Sequence, residues 1–368
     1  MGEDVYDVAV IGAGPAGATA AIALGRKGYQ VALIDRASFP RSVPCGGWLS
    51  AKAETLVGEL APAAKKLLGT FNDVTLFSAD LSKSAKPKFE SSAGFVVDRA
   101  EFDNALTKAA VQHGATLHEA SAVTDIRLRE RSVTLTLANQ KQVSSRLLLL
   151  ASGRGSELLD RIGFPRHVGG NPLWTAQAEA KVAHDGETRV GVVLGLDGGG
   201  SFGLFCTTND RTLVSVNWGG SQERTIPLLV ALCKAAYQQG AVPVDLSKQA
   251  SSAALIRSPA SAALDMDSHV GKHTLLVGDA GGFISAASNE GIYPAMWSAK
   301  IAAQALDAAL QSEVSQDELM TFDSLWRTQM ADHLRSPHAD IRFLLPLIFQ
   351  NQPMADRMGA AFFFGENL

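Results

Sequence analysis

Cysteine is scarce in this chain: Cys45, Cys206 and Cys233 are the only three among 368 residues. An odd, widely spaced set argues against a disulfide framework and fits reduced thiols in the cytoplasm. Metal-ligand patterns are missing too. The eight histidines keep no ligand spacing, neither CxxC nor HExxH occurs, and no metal site is expected. No apolar run approaches the ~18 residues that would cross a bilayer. The first strand is expected from about Val5, which leaves no room for a secretion leader. Positive charge is not in excess either: the formal net charge is −4, so there is no electrostatic footprint for nucleic acid. What remains is 46% hydrophobic and 19% charged, an ordinary globular composition with length for about two domains.

Against that plain background one local pattern stands out. The apolar run Val8–Ile11 enters Gly12-Ala13-Gly14-Pro15-Ala16-Gly17, an alanine-rich helix follows, and a second strand, Val31–Ile34, ends in Asp35. This is the strand, turn, helix, strand and acid order of a dinucleotide-binding unit. Gly12 permits the tight turn, Gly14 lets backbone approach a pyrophosphate, and Gly17 lets the helix close on the strand. The helix start, with Pro15 and Ala16, would aim unpaired N–H groups and a positive dipole end at phosphates. Asp35 stands where a carboxylate accepts from ribose hydroxyls.

Further along, Phe39–Gly47 is broken by proline and glycine and is expected to be irregular. Residues 73–97 read as short strands around a turn near 82–88. Asp98 with Glu101 forms a capping box for a helix that ends at Gly114. Strands are expected at Thr116–Leu117, Ala122–Leu128, Val133–Leu137 and Leu147–Leu150, the last running into Ala151-Ser152-Gly153-Arg154-Gly155-Ser156. From Trp174 to Arg257 the alternation becomes β-rich, with strands at Thr175–Val182, Arg189–Leu194, Ser201–Cys206 and Thr212–Asn217, then a helix from about Thr225 to Gln239. The glycine run Gly195–Gly203 lies between alternating strands with no helix after it, and reads as a hairpin turn. Leu275–Val277 is a buried strand entering Gly278-Asp279, and a long helix is expected from about Glu290 to Leu310. Residues 316–368 read as helical and aromatic.

Four of these segments resemble the FAD-dependent oxidoreductases of the para-hydroxybenzoate-hydroxylase superfold, in the geranylgeranyl-reductase-like branch. They are the fingerprint ending in Asp35, then Pro40-Arg41…Pro44-Cys45-Gly46-Gly47, then Asp98-Arg99…Phe102-Asp103, and finally Gly278-Asp279-Ala280-Gly281-Gly282 with Glu290-Gly291-Ile292. The chain departs from the branch in having Val43 for lysine, Ser152-Gly153 for Asp-Gly, and Asn289 for glycine. A halogenase Trp-x-Trp-x-Ile-Pro segment is absent, which disfavours chlorination. The prenyl reductases' Tyr-x-Trp-x-Phe-Pro has as its nearest counterpart Phe202–Thr207, without the tyrosine, tryptophan or proline.

The resemblance implies an α/β fold: a Rossmann-like FAD-binding domain of the GR2/PHBH type, an inserted α+β substrate domain on an antiparallel sheet, and a helical C-terminal tail. The expected parts are 1–72, 96–155 and 268–310 for FAD, 73–95 and 156–267 for substrate, and 311–368 for the tail. It implies FAD contacts from Gly12, Gly14, Pro15, Ala16, Gly17, Asp35 and Arg36. Arg41, Cys45, Gly46, Gly47, Arg99, Val123 and Gly153 join them, as do Gly278, Asp279, Gly281, Gly282, Gly291 and Ile292. Asp279 would accept from a ribityl hydroxyl, and Gly281 and Gly282 would let backbone pass near the cofactor. Trp48, Trp174, Phe202 and Trp218 are candidates for the substrate cavity, with core packing as their ordinary alternative.

No second dinucleotide fingerprint is present, so NAD(P)H is expected as a transient donor, or else a separate electron carrier. Cys45 is a candidate general acid, or a small residue chosen for fit. Three readings stand side by side: a reductase adding hydride to C=C of an apolar small molecule, an NAD(P)H- and O2-dependent monooxygenase, and a flavin-binding protein without turnover. The tail segments Phe343–Phe349 and Phe362–Phe364 allow peripheral contact with a membrane, with packing on the substrate domain or a dimer contact as the alternative.

Overall fold

The computed structural model describes residues 4–154, 157–165, 173–184, 186–197, 201–257, 261–336 and 341–366. Its first layer is an eight-stranded sheet. Asp4–Ile11 lies at the centre, parallel to Val31–Ile34 on one side and to Gln142–Leu150 on the other. Thr116–His118 and Thr274–Leu276 extend the parallel part outward. Val8–Ile11, Val31–Ile34, Leu147–Leu150 and Thr274–Leu276 are buried on both faces, as strands of parallel sheets are. On one face pack the helices Pro15–Gly25, Arg99–Gln112 and Ile292–Gln311, whose alanines let the backbones approach closely. The antiparallel pair Val123–Leu128 and Val133–Leu137 packs Ile126, Val133 and Leu135 against the other face.

The second layer is a seven-stranded sheet in which only Asp73–Phe77 and Arg189–Leu194 run parallel. Trp174–Lys181 pairs with Arg211–Trp218, which pairs with Phe202–Thr207, which pairs with Arg189–Leu194, all antiparallel. Leu194 faces Phe202 across the hairpin expected from the glycine run. The tip, 198–200, lies outside the described residues, as do Gly155 and Ser156. Strand alternation splits this sheet into two faces. Ala176, Ala178, Val214 and Val216 are buried under the helix Gln222–Gln238. A small sheet of Trp48–Ser50, Gly94–Val96 and Gly69–Phe71 bridges the layers.

Two helix starts and one cap differ from expectation. The helix expected at Thr225 begins at Gln222, because Ser221 is extended at its N-cap and Glu223 favours the first turn. The long helix begins at Ile292 rather than Glu290. A turn closed by Asn289 N–H on Ser285 O (2.9 Å) and Ser285 N–H on Glu290 O (3.0 Å) occupies the residues before it. Asp98 caps its helix by accepting from Ala100 and Glu101 N–H at 2.8 and 3.2 Å. Among the described residues the Glu101 carboxylate makes no return bond, so only half of the capping box forms.

The tail forms the helices Ser315–Leu334, Ile341–Ile348 and Gln352–Phe364. Phe362 and Phe363 turn inward onto Trp48, with ring centroids 5.7 and 5.5 Å away. Phe343, by contrast, is 80% exposed. No helix among the described residues is long and apolar enough to cross a membrane.

Candidate active site

A cavity of about 510 Å³ opens between the two layers. One end is the turn Gly12–Gly17. Gly12 has φ +101°, and a Cβ there would run into the Ala151 carbonyl. A Cβ on Gly17 would run into the Gly12 carbonyl, so helix and strand can meet only at glycine. Gly14 differs: a Cβ would meet only Arg41 Nη2, at 3.3 Å, across the open cradle. Pro15 occupies the first helical turn, where its missing N–H costs nothing. The buried Asp35 carboxylate accepts from Ala13 N–H at 2.8 Å and Ala37 N–H at 2.9 Å, so it holds the turn as well as lining the cavity.

Around this end gather arginines from distant segments. Arg41 reaches to 3.4 Å of Asp103 and 3.9 Å of Asp35. Arg99 is clamped by Asp103 through two bonds of 2.9 and 3.0 Å, one helical turn on. Burial works against the Arg99 charge, but the Asp103 carboxylate and the neighbouring Cys45 sulfur outweigh it and hold its pKa raised. Arg36 and Arg154 also line the cavity.

The side wall comes from Asp279 and the segment before the long helix. Burial raises the Asp279 carboxyl against the pull of Arg99 and Arg154. Gly291 lies close to it: a Cβ there would be 3.3 Å from Asp279 Oδ1. Cys45, on the facing loop, accepts from Gly47 N–H through Sγ at 3.4 Å. The same wall includes the buried Glu290, whose carboxyl group turns toward other segments. Glu290 Oε1 accepts from Ser50 N–H at 2.8 Å, and Oε2 lies 3.9 Å from His333 Nε2. Burial pushes the Glu290 carboxyl up to about 8 and, with Lys52, pushes His333 down to about 4. Both are therefore neutral near pH 7.

The far wall belongs to the second sheet: Thr175, Gln177, Ser215 and Asn217, with Phe202 and Leu204 beside them. Thr175 Oγ1 donates to Asn217 Oδ1 at 2.8 Å, and Asn289 Nδ2 donates to the same oxygen at 3.4 Å. Asn289 adopts φ +56°, a left-handed conformation that asparagine tolerates.

Of the residues expected from sequence, Gly12, Gly14, Pro15, Ala16, Asp35 and Arg36 line the cavity, as do Arg41, Cys45, Gly46, Trp48 and Arg99. Gly153, Phe202, Asp279, Gly291 and Ile292 line it as well. Gly17, Gly47 and Gly278 lie behind the lining, and Val123 heads a strand away from it. Gly281 and Gly282 face protein rather than cavity. A Cβ on Gly281 would press on Phe283 and His269 at 2.7 and 2.9 Å, and one on Gly282 on Ala263 N at 2.8 Å. Trp174 and Trp218 are correctly placed on strands but lie on the wrong face. They pair in register, out of phase with the lining residues, and Trp218 Nε1 donates to Ser221 O at 3.1 Å. Arg154 and Glu290 were named within their segments but given no site role, and Ser288 and the polar quartet on the second sheet were missed. A period-two alternation of polar with small apolar residues was the available signal for the quartet.

The residues present fit an FAD. Gly12 and Gly17 leave no room for side chains, the helix start offers its N–H groups, and two buried polar atoms at the cavity, Arg41 Nε and Ser152 Oγ, have no protein partner. Asp279 lines the same cavity.

Comparison with known proteins agrees. A menaquinone reductase of Mycobacterium tuberculosis is 35% identical over 173 residues, 45% of this chain and 42% of that protein. The chain thus matches less than half the length of that relative. Digeranylgeranylglycerophospholipid reductase 1 of Methanococcoides burtonii is 25% identical over 360 residues, covering 90% of this chain and 82% of the relative. A geranylgeranyl bacteriochlorophyll reductase-like structure from Thermoplasma acidophilum superposes with TM-score 0.76 at 18% identity, over 99% of this chain and 98% of its own. The FAD binding domain family matches residues 5–334. On that match, with the cradle, the arginines and Asp279 in place around one cavity, the chain belongs to the FAD binding domain family.

Proposed function

We propose that this protein is an FAD-dependent reductase that passes hydride from NAD(P)H, or another donor, to a C=C bond of a largely apolar small molecule. The observation that carries the reading is the single cavity that runs from the dinucleotide cradle to the face of the second sheet. When bound, FAD supplies hydride exchange at N5. The chain's own part is to bind, orient and dry the site. Gly12, Gly14 and the helix start hold the pyrophosphate, Asp35 the ribose, and Asp279 the ribityl chain. The long helix Ile292–Gln311 turns its positive end toward the cavity, which favours negative charge there. Trp48, Phe202 and Leu204 exclude water from the reacting end. Cys45, on the wall, is the group assigned to give a proton to the carbon beside the one receiving hydride.

The names of two relatives, menaquinone reductase and digeranylgeranylglycerophospholipid reductase, support a reductive role on an apolar molecule. The exposed Phe343 and Leu347 on the tail helix would let the protein rest on a bilayer that holds such a substrate. Flotation with liposomes checks that part, and protein left wholly in the soluble fraction removes it. For the reaction itself, the test is rapid mixing of the FAD-loaded protein with NADPH, without and with air. Turnover that persists at full rate under anaerobic conditions supports the reductase. Product formed only with stoichiometric consumption of O2 assigns a monooxygenase instead. Reduced protein that no acceptor reoxidises leaves a flavin-binding protein without turnover.

A further inference from the structure

The far wall of the cavity carries more polarity than an isolated hydrocarbon double bond needs. Register places Thr175 opposite Asn217 and Gln177 opposite Ser215. The four side chains form one patch facing the cavity, because their neighbours Ala176, Ala178, Val214 and Val216 are buried under the helix on the other face. Asn217 Oδ1 is already engaged by Thr175 Oγ1 at 2.8 Å and Asn289 Nδ2 at 3.4 Å, which leaves the Asn217 NH2 as one donor of the patch. Gln177 Oε1 is buried and has no partner, which makes it the patch's acceptor. Charge is cancelled further along the same face, where Arg211 meets Glu179 at 3.7 Å. Phe202, Leu204 and Ile256 supply flat apolar surface beside the patch.

We propose that the reacting end of the substrate is a neutral conjugated carbonyl bearing an N–H or O–H, of the α,β-unsaturated amide type. Its carbonyl oxygen accepts from the Asn217 NH2 and its N–H donates to Gln177 Oε1. The inference rests on the hydride-transfer reading above and narrows its substrate class. The step balances. Hydride with its electron pair adds to the β-carbon, the C=C π pair shifts toward the carbonyl, and the α-carbon takes a proton from the Cys45 thiol, which solvent reprotonates. The C=C becomes CH–CH and the reduced FAD is oxidised, to be reduced again by the nicotinamide donor. Asn217 donates to the oxygen on which charge gathers, where a preorganised donor acts most strongly. A pure alkene would leave Gln177 Oε1 buried and unpaired, a costly arrangement.

The test compares cinnamamide with β-methylstyrene, which keeps the conjugated double bond but lacks the amide. Binding is read by calorimetry on FAD-saturated protein without electron donor. Cinnamamide is expected to bind about tenfold more tightly or better. Gln177→Met, which keeps the shape of the side chain, should weaken cinnamamide about tenfold, leave β-methylstyrene unchanged and retain full FAD content. Asn217→Leu, which removes the proposed donor at similar size, gives a second variant with the same expected selectivity. Equal affinity for the two compounds, no binding of either, or a Gln177→Met effect shared by both would overturn the proposal. Protein that takes up no FAD would instead sink the hydride-transfer reading. Calorimetry on that apoprotein would still show whether the amide is preferred.

Discussion

Replacing Glu290 by glutamine isolates one buried ionisation. The amide can still accept from Ser50 N–H but cannot lose a proton. In the folded protein burial holds the Glu290 carboxyl protonated up to about 8, whereas its ordinary value is 4.5. Above the ordinary value the unfolded chain is ionised while the folded one keeps its proton. Folding stability therefore falls as pH rises, by about 1.4 kcal/mol per pH unit, until the folded group ionises as well. Between pH 5 and 8 the loss reaches about 4 kcal/mol. His333, neutral in the folded state above about 4, and Tyr293, pushed up to about 12, do not change charge in the folded protein between pH 5 and 8. The advantage of Glu290→Gln over the parent should thus widen with pH, by about 8 °C in Tm at roughly 2 °C per kcal/mol, and level off above pH 8. Thermal unfolding of the FAD-saturated proteins at pH 5, 6, 7 and 8 measures it. Parallel Tm curves would refute the reasoning.

Other perturbations address the cradle and the wall. Gly17→Ala would drive a Cβ into the Gly12 carbonyl, so FAD should be lost on desalting; a full flavin-to-protein absorbance ratio would contradict this. Asp279→Ala should leave a folded chain with much weaker FAD retention, and a preparation that stays yellow through dialysis would remove the assigned role. Asp103→Asn takes the carboxylate from the clamped Arg99, and breaking a buried pair costs about 3–5 kcal/mol; chemical denaturation showing less than 1 kcal/mol would argue that Arg99 has another partner. Cys45→Ser should slow substrate reduction more than flavin reduction by nicotinamide, and equal retardation of both half-reactions would return Cys45 to a packing role.

The parts of the site written in contiguous sequence were readable without coordinates. Gly12 to Gly17, Asp35 and the segment from Gly278 to Ile292 act through local turn geometry and spacing, and spacing is visible in one dimension. Gly281 and Gly282 show the limit of that logic. A glycine is demanded by whatever lies nearest, and here that is Phe283, His269 and Ala263 rather than a cofactor. The aromatic candidates show it again. Trp174 and Trp218 are large enough to line a cavity, but size does not say toward which side a strand turns its odd or even residues.

The order of apolar strands, glycine turns and acids along the chain was enough to determine a dinucleotide-binding α/β protein with an inserted β-rich part. These features follow from backbone sterics and short-range periodicity. The tertiary structure decided which face of the second sheet meets the cavity. The helix Gln222–Gln238 covers the alanines and valines, so Gln177 and Asn217 must face inward. It also decided that the buried Glu290 meets Ser50 and His333, because burial and long-range pairing depend on how separate segments pack, not on their order.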